Sequence, residues 1–210
     1  MSETDSSPKT RDAEQSRGRI LDAAEALFLS DGFSRTALSR VAVRADVPKS
    51  LIFHYFPTKQ ALWEAVKLRR LQGFVSRQRE GFRRGPVTVE ELVAAIRDYF
   101  DLLRDDPAFI QLCARAGLEP GLNCARFDPE LIGPFIARLE EAAARGLLRP
   151  GIQPVYLLAL IIAAVTQWFE ARDDFANWPG MPEKTAADPA YLETIIEVLL
   201  YGTLDSGAAR

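Results

Sequence analysis

A segment near residue 50 presents side chains that can bind both the charged and the apolar groups of a nucleic acid. Lys49 carries an ammonium group, Ser50 a hydroxyl and His54 an imidazole, with the apolar Leu51 and Phe53 between them. In a short helix starting at Pro48, we expect these five side chains on the exposed side. Basic and hydroxyl groups bind phosphates and base edges, and apolar groups contact base methyls. The chemistry that this segment could perform is DNA recognition.

No catalytic motif accompanies the segment. The sequence contains no G-x-S-x-G, no H-E-x-x-H and no glycine-rich phosphate loop, and His54 is its only histidine. Cys113 and Cys124 lack metal-ligand spacing and do not indicate a disulfide framework. We therefore expect no catalytic residue, no metal site, no cofactor and no enzymatic activity.

Two helices joined by a tight turn would position the segment. Thr36 can cap the first, Asp46 breaks it, and Pro48 suits the start of the second. This arrangement is a helix-turn-helix, in which the second helix enters the major groove. Its predicted inner face consists of Leu38, Val41, Ala42, Val47, Ile52 and Phe56.

The rest of the chain is helical by its periodicity, and no alternating strand pattern occurs. A first helix precedes the pair, and a fourth, capped by Thr58, runs to about residue 78. Further helices are predicted at residues 88–104, 107–117, 129–146, 154–174 and 189–204, with Asp106, Asp128 and Asp188 as caps. We predict an all-α fold of about nine helices. Residues 1–15 form a disordered tail, 16–62 a DNA-binding domain that helix four links onward to about residue 80, and 81–210 a ligand-binding and dimerisation domain.

The charge is distributed unevenly along the chain. Residues 1–85 hold 16 Lys and Arg against 10 Asp and Glu, whereas residues 86–210 hold 10 against 19. This pattern favours a front part that faces a polyanion, although chance clustering on solvated helix faces would also produce it. An architectural protein that binds DNA without sequence preference would be more basic throughout.

The residues from Gly32-Phe33 through Trp63, GFSRTALSRVAVRADVPKSLIFHYFPTKQALW, resemble the DNA-binding domain of the TetR family of regulators. Residues 17–28, RGRILDAAEALF, resemble that family's first helix. At motif strength the resemblance covers roughly residues 17–66. It implies a homodimeric regulator that binds a palindromic double-stranded operator and responds to an unidentified small-molecule effector.

The resemblance also implies roles for individual residues. Thr36 would hold a phosphate, Lys49, Ser50 and Leu51 would meet base edges, and Tyr55 and Lys59 would clamp the phosphate backbone. His54 would sit near the backbone or a base edge. The full predicted DNA-binding set is Thr36, Arg40, Pro48, Lys49, Ser50, Leu51, Phe53, His54, Tyr55 and Lys59.

Three positions depart from the family pattern. Asp46 stands where glycine is common, and it tolerates a left-handed conformation less freely than glycine does. Leu51 stands for a frequent threonine, and we hypothesise that it contacts a thymine methyl. Phe53 stands for a frequent tyrosine and cannot donate a hydrogen bond to phosphate. Leu51, Phe53 and Tyr55 could instead be core residues, and His54 a packed surface residue.

The predicted domain of residues 81–210 would bind the effector and the partner subunit. An aromatic stripe at helical spacing is often plain core, so the pocket prediction competes with that interpretation. The predicted pocket residues are Phe100, Leu103, Phe109, Leu112, Cys113, Phe135, Leu139, Ile162, Thr166 and Phe169. By resemblance the last two helices would pair with their symmetry mates. The predicted interface residues are Leu158, Ile161, Val165, Leu192, Ile195, Ile196, Leu199 and Leu200.

The sequence thus predicts a cytoplasmic transcriptional repressor that a small molecule releases from its operator. The N-terminus shows no secretory signal, and the longest apolar run, residues 155–165, is too short for a membrane span. The alternative is a small-molecule-binding helical protein whose DNA-binding head is degenerate.

Overall fold

The structure, a computed structural model, describes residues 8–82, 85–117 and 129–203. These ranges contain helices and no β-strand, which confirms the all-α fold class. The α-helices are α1 (Pro8–Asp31), α2 (Leu38–Ala45), α3 (Lys49–Tyr55), α4 (Lys59–Phe82), α5 (Val89–Asp105), α6 (Pro107–Gly117), α7 (Pro129–Ala144), α8 (Pro154–Phe175) and α9 (Lys184–Ile195). The chain divides into two compact units. The described residues up to Leu71, with those of α6 from Gln111, form the first unit, and the other described residues form the second.

The first unit contains one apolar core, to which all of its helices contribute side chains. On α1, the positions of Ile20, Ala24, Leu27 and Phe28 repeat at helical spacing, and all four side chains are buried. The buried cluster comprises Ile20, Leu21, Ala23, Ala24, Leu27, Phe28, Val41, Ala42, Ala45, Ile52, Phe56, Leu62, Trp63, Val66 and Leu112. Burying one such Leu, Ile or Phe side chain stabilises the fold by about 1.5–3 kcal/mol. The inner face predicted for the helix-turn-helix lies in or against this core.

The turn between α2 and α3 depends on Asp46. Its φ of 52° and ψ of 54° are left-handed, a conformation that Asp adopts more readily than most residues other than glycine. The backbone N–H of Asp46 donates to the carbonyl of Val43 (3.2 Å), and that of Val47 donates to Ala42 (3.1 Å). These bonds satisfy carbonyls at the end of α2 and turn the chain into α3.

Ion pairs also join α1 to α4 in the first unit. Arg69 donates to Asp22 (2.7 Å) and to Glu25 (2.8 Å), and Arg70 pairs with Glu25 as well. Glu25 and Arg70 are largely shielded from solvent, so these contacts are less screened than pairs on an open surface. The network fixes the first half of α4 to the core that carries α3.

The start of α1 corrects the predicted tail. Because α1 begins at Pro8, residues 8–15 are helical rather than disordered. Proline suits the first turn of a helix, where its missing N–H costs nothing. The hydroxyl of Tyr55 donates to the carbonyl of Ala13 (3.1 Å), so a residue distant in sequence secures this polar turn.

In the second unit, caps and aromatic contacts define the helices. Thr88 accepts a hydrogen bond from the Glu91 backbone N–H (3.2 Å), which caps α5, and the Asp106 carboxylate accepts one from the Phe109 N–H (3.1 Å) at α6. The rings of Phe100 on α5 and Phe169 on α8 lie 4.7 Å apart. The helices at residues 88–104, 107–117, 129–146 and 154–174 were therefore predicted to within about two residues of the observed bounds.

The start of α9 was predicted wrongly. The helix begins at Lys184, and Pro189 lies inside it. Asp188 does not cap it, because its carboxylate accepts hydrogen bonds from Trp168 Nε1 (2.9 Å) and Arg172 Nη1 (3.1 Å). These contacts from α8 stabilise the turn around Pro189, which lacks a backbone donor.

The C-terminal helix changes its winding after Ile195. A π-turn, Ile196–Leu200, follows directly, and a short 3₁₀ turn, Tyr201–Thr203, ends the described chain. A π-turn holds more residues per turn than an α-helix. The carbonyl of Thr203 then accepts a hydrogen bond from the Arg149 backbone N–H (2.8 Å).

Within the described residues, one helix has the length and apolar composition needed to cross a membrane, namely α8. A helix in the core of a soluble protein meets the same two criteria.

Candidate nucleic-acid interface

One face of α3 is open to solvent. Lys49, Ser50, Phe53 and His54 are exposed, at positions that repeat with the helical period. The opposite face is closed, because Ile52 is fully buried and Phe56 is nearly so. Four of the side chains predicted to meet DNA thus lie together. Leu51 and Tyr55 lie at the edges of this face and are half-buried, while Pro48 is exposed at the start of the helix.

The exposed side of α2 carries two arginines. Arg40 forms an ion pair with Asp31 at the end of α1, and Arg44 lies one turn further along α2. A hydrogen bond with the Ser30 side chain, followed by the contact with Arg40, lowers the pKa of the Asp31 carboxyl. Between the two arginines Val43 is 83% exposed, so this surface is not an inner packing face.

Thr36 does not occupy the place predicted for it. Its side chain is fully buried, and the single proton of its hydroxyl is shared between the carbonyls of Gly32 (2.7 Å) and Leu27 (3.2 Å). The residue before α2 is Ala37, and no side chain caps that helix. Thr36 therefore stabilises the connection after α1 from inside the protein, and its side chain is not accessible to a phosphate. A buried hydroxyl needs hydrogen-bond partners inside the protein. When these partners are backbone carbonyls, residue types in the sequence do not identify them.

Tyr55 is also engaged inside the protein. Its hydroxyl bonds to Ala13, and its ring packs against the rim of the first unit's core. The interpretation of Tyr55 as a core residue, left open by the sequence, matches this position more closely than the phosphate clamp does. Its ring also meets that of His54 edge-on at 5.2 Å.

Lys59 differs from its predicted role in the same way. Its ammonium donates to the carbonyls of Phe33 (2.7 Å), Thr36 (3.0 Å) and Ser34 (3.2 Å). It also lies 4.3 Å from the centre of the Phe33 ring. An ammonium has three donors, and three carbonyls use them. Lys59 thus fixes the α1–α2 connection to the start of α4, where Thr58 provides the predicted cap (3.0 Å).

The predicted set omitted basic residues beside α3. The guanidinium of Arg17 lies 5.6 Å from the centre of the Phe56 ring, and Arg19 donates to the carbonyl of Asp46 (3.4 Å) in the turn. Both side chains are exposed, as is that of Arg44. The excess of basic residues in the front half was the signal that could have indicated them.

The predicted pocket residues fall into different environments. Leu112 packs in the core of the first unit, so it does not line the interior of the second. Cys113 is disulfide-bonded, which corrects the expectation drawn from cysteine spacing; Cys124 lies outside the described residues. Disulfides depend on distance in the fold rather than on spacing in sequence. The predicted residues that are buried in the second unit are Phe100, Leu103, Phe109, Leu139 and Phe169, and those half-buried are Phe135, Ile162 and Thr166.

A neutral polar pair lies among these apolar side chains. The hydroxyls of Tyr99 and Thr166 are 2.9 Å apart, and the Phe74 ring lies 5.8 Å from both the Tyr99 ring and the Phe135 ring. Burial raises the pKa of Tyr99 to about 12, so its hydroxyl stays protonated at neutral pH. The pair is suited to hydrogen bonding without charge.

A cleft of about 510 Å³ opens elsewhere on the second unit, between α5 and α9. Its lining residues are Arg97, Asp101, Arg104, Asp188, Pro189, Leu192 and Glu193. Arg97 forms a two-bond pair with Glu193 (2.7 and 3.0 Å), and Arg104 pairs with Asp101 (2.7 Å). None of the predicted pocket residues lines this cleft.

Most of the predicted interface residues are core residues of the protomer. The buried ones are Ile161, Val165, Leu192, Ile195, Ile196 and Leu200, and the half-buried ones are Leu158 and Leu199. These six side chains pack within the protomer and offer little surface to a second copy, and the interface assignment stays a prediction. Helices α8 and α9 are apolar on more than one face, and the stripe selected from the sequence packs within the chain.

The opposite faces of these helices carry exposed apolar side chains. On α8, Val155 is 47%, Tyr156 63% and Leu160 56% exposed. Val198 and Tyr201, in the π-turn and the segment after it, are 61% and 38% exposed. Exposed apolar side chains grouped in this way indicate a surface for another macromolecule. Elsewhere, within the described ranges, no group of three or more metal-binding side chains could hold a metal ion.

Comparison with known proteins matches residues 20–66 to the family described as bacterial regulatory proteins, tetR family. The transcriptional activator FasR of Mycolicibacterium smegmatis is 30% identical over 93 residues, which are 44% of this chain and 42% of FasR. The transcriptional repressor NicS of Pseudomonas putida is 27% identical over 153 residues, 69% of this chain and 71% of NicS. The chain thus spans under half of FasR.

The fold also matches solved structures. FadR of Bacillus subtilis, crystallised with stearoyl-CoA, superposes with a TM-score of 0.67 at 18% identity, over 88% of this chain and 98% of that one. At this identity the similarity shows the fold alone. It extends the likeness well beyond the matched residues of the front segment.

Proposed function

Because the chain belongs to the TetR family of bacterial regulatory proteins, we propose that it represses transcription by binding a palindromic operator through α3. The observation that carries this proposal is the exposed face of Lys49, Ser50, Phe53 and His54 on a helix fixed from behind by Ile52 and Phe56. A rigid helix with outward donors can meet the base edges of the major groove. The site of action would be the cytoplasm, where the bacterial chromosome lies.

Phosphate contacts would come from the exposed cations around α3. Arg17 and Arg19 on α1, Arg40 and Arg44 on α2, and Lys49 carry their charges at the surface of the first unit. Each phosphate that such a cation neutralises releases counterions and makes binding more sensitive to salt. Because Tyr55 and Lys59 have partners inside the protein, we assign them positioning roles instead.

A variant pair separates these two kinds of lysine. Lys59→Met removes three charge-assisted hydrogen bonds, so we expect the free energy of unfolding of the first unit to fall by about 2–4 kcal/mol. The slope of log affinity against log salt should not change. Lys49→Met should leave stability unchanged and reduce that slope by about 0.9. Urea unfolding and operator titration at several salt concentrations measure both quantities. A reduced slope with unchanged stability for Lys59→Met would return Lys59 to the DNA contacts.

We further propose a two-fold dimer formed through the exposed apolar faces of α8 and the C-terminal helix. Val155, Tyr156 and Leu160 on α8, with Val198 and Tyr201, would meet the same residues of a second copy. Such an isologous contact pairs one patch with itself. The two recognition helices would then reach half-sites about 34–36 Å apart.

The effector would bind in the apolar interior of the second unit. Buried aromatic rings and the neutral Tyr99–Thr166 pair suit a largely apolar molecule with few polar groups. The stearoyl-CoA in the FadR structure is a ligand of that protein, and its stearoyl chain is an apolar group of this kind. Effector binding would favour a dimer with a different spacing of its DNA-binding heads and so weaken operator binding by its differential affinity.

Selection of bound duplexes from a random DNA pool, with the whole protein, tests the proposal. The expected result is a palindrome with half-sites about one turn apart, bound with a strong dependence on salt. Weak binding without any preferred sequence would contradict it. That outcome would favour the alternative, a small-molecule-binding protein with a degenerate head, for which the internal engagement of Tyr55 and Lys59 is the supporting observation.

A further inference from the structure

Phe53 is an aromatic side chain that the core does not use. Phe53 is 46% exposed, although the preceding residue, Ile52, is fully buried and Phe56 is 3% exposed. The closed side of α3 is therefore complete without Phe53. A large apolar ring on the open face of a seven-residue helix contributes little to folding, and it is available to a binding partner.

The ring is held beside a positive charge. Lys49 and Phe53 stand four residues apart on α3, and the Lys49 ammonium lies 5.7 Å from the centre of the ring. A cation over an aromatic face is attracted by the quadrupole of the ring. The open face of α3 thus presents one apolar contact and one cationic donor side by side.

The major groove offers a specific counterpart for the apolar ring. The 5-methyl group of thymine is the apolar feature of a base edge there, and phenylalanine is among the side chains that contact it. A phosphate group has no apolar surface that the ring could contact. Leu51, the other apolar candidate, is half-buried at the edge of the face.

We infer that Phe53 recognises the methyl group of a thymine in each operator half-site. This inference rests on the proposed function, in which α3 enters the major groove. It assigns recognition of the methyl group to Phe53 rather than to Leu51. It also names the feature of the operator that this chain selects. Phe53 would contact that methyl group without a hydrogen bond, because its side chain has no donor.

The test removes the methyl group from the DNA and the ring from the protein. In the operator recovered by selection, each thymine is replaced in turn by deoxyuridine, which pairs identically and lacks the methyl. For the unaltered protein we expect one thymine per half-site at which this change weakens binding by about fourfold, the effect of one buried methyl-sized group. Phe53→Ala should bind the thymine operator more weakly and show no further loss with deoxyuridine there.

Matched variants decide between the neighbouring residues. Leu51→Ala should keep the full sensitivity to deoxyuridine, and circular dichroism should show that Phe53→Ala is folded, since its ring lies outside the core. The inference is overturned if methyl removal weakens the unaltered protein and Phe53→Ala equally, if no thymine matters, or if Leu51→Ala is the variant that loses the sensitivity. Those results leave the proposed function standing. Failure to recover any operator overturns the proposed function and this inference with it.

Discussion

Leu160→Glu is expected to convert the protein from a dimer to a monomer and to weaken operator binding by about 100-fold or more. Leu160 lies on the exposed apolar face of α8, beside Tyr156. In a two-fold contact the substitution places two carboxylates in one apolar interface, and each costs several kcal/mol to bury without a partner. A monomer would hold only one half-site. Sedimentation equilibrium and operator titration give the two measurements.

Two neighbouring substitutions provide controls for this result. Ile161 is 6% exposed, so Ile161→Ala should lower the free energy of unfolding by about 2–5 kcal/mol, whereas Leu160→Glu should leave the folded protomer intact. Leu68 on α4 is 37% exposed, and Leu68→Glu should remain dimeric. A dimeric Leu160→Glu protein would show that the subunits associate through another surface.

Trp63→Ala is expected to unfold the first unit or bring it close to unfolding. Trp63 is 2% exposed and meets the rings of Phe28 (5.3 Å) and Phe33 (6.0 Å) edge-on. Truncating a buried tryptophan costs about 3–5 kcal/mol, a large part of the 5–15 kcal/mol that stabilises an ordinary domain. Operator binding should disappear with the fold that carries α3. Amide hydrogen exchange measures this loss separately in each unit.

Trp63→Phe provides the matched comparison. Among the described residues the buried Nε1 of Trp63 has no hydrogen-bond partner, so the native residue already carries the cost of an unsatisfied donor, about 1–3 kcal/mol. Phenylalanine removes this donor and keeps an aromatic ring, and the cavity it leaves offsets part of the gain. We expect a stability within about 1.5 kcal/mol of the unaltered protein. Equal destabilisation by Trp63→Phe and Trp63→Ala would contradict this account.

Local signals explain which parts of the fold were predictable from the sequence. Caps such as Thr58, Thr88 and Asp106 act over three residues, and prolines mark first turns, so most helix bounds follow from short-range chemistry. The open face of α3 followed from the apolar period of its closed face. The start of α1 did not, because its first two turns are polar and carry no apolar period, although Pro8 lies at the first turn.

The roles of other residues were predicted wrongly for a different reason. Thr36 and Lys59 bond to backbone carbonyls, which every residue has, so the sequence gives no sign of these partners. On α8 the side chains of Leu160 and Ile161 are equally apolar, and only the packing of the protomer decides which of them is buried. Resemblance to a family supplied roles for such positions but not their contacts in this chain.

The π-turn at Ile196–Leu200 makes the end of the chain sensitive to its exact length. Buried side chains here lie at Leu192, Ile195, Ile196 and Leu200, at the spacings of three and four residues that place them on one face of a helix. Leu200, the last of them, ends the π-turn and is fully buried. Deleting one residue from the π-turn would rotate everything downstream by about 100°. Tyr201 would then leave the exposed face, and Thr203 would lose its bond to Arg149. The π-turn and the residues after it should therefore tolerate substitution far better than deletion.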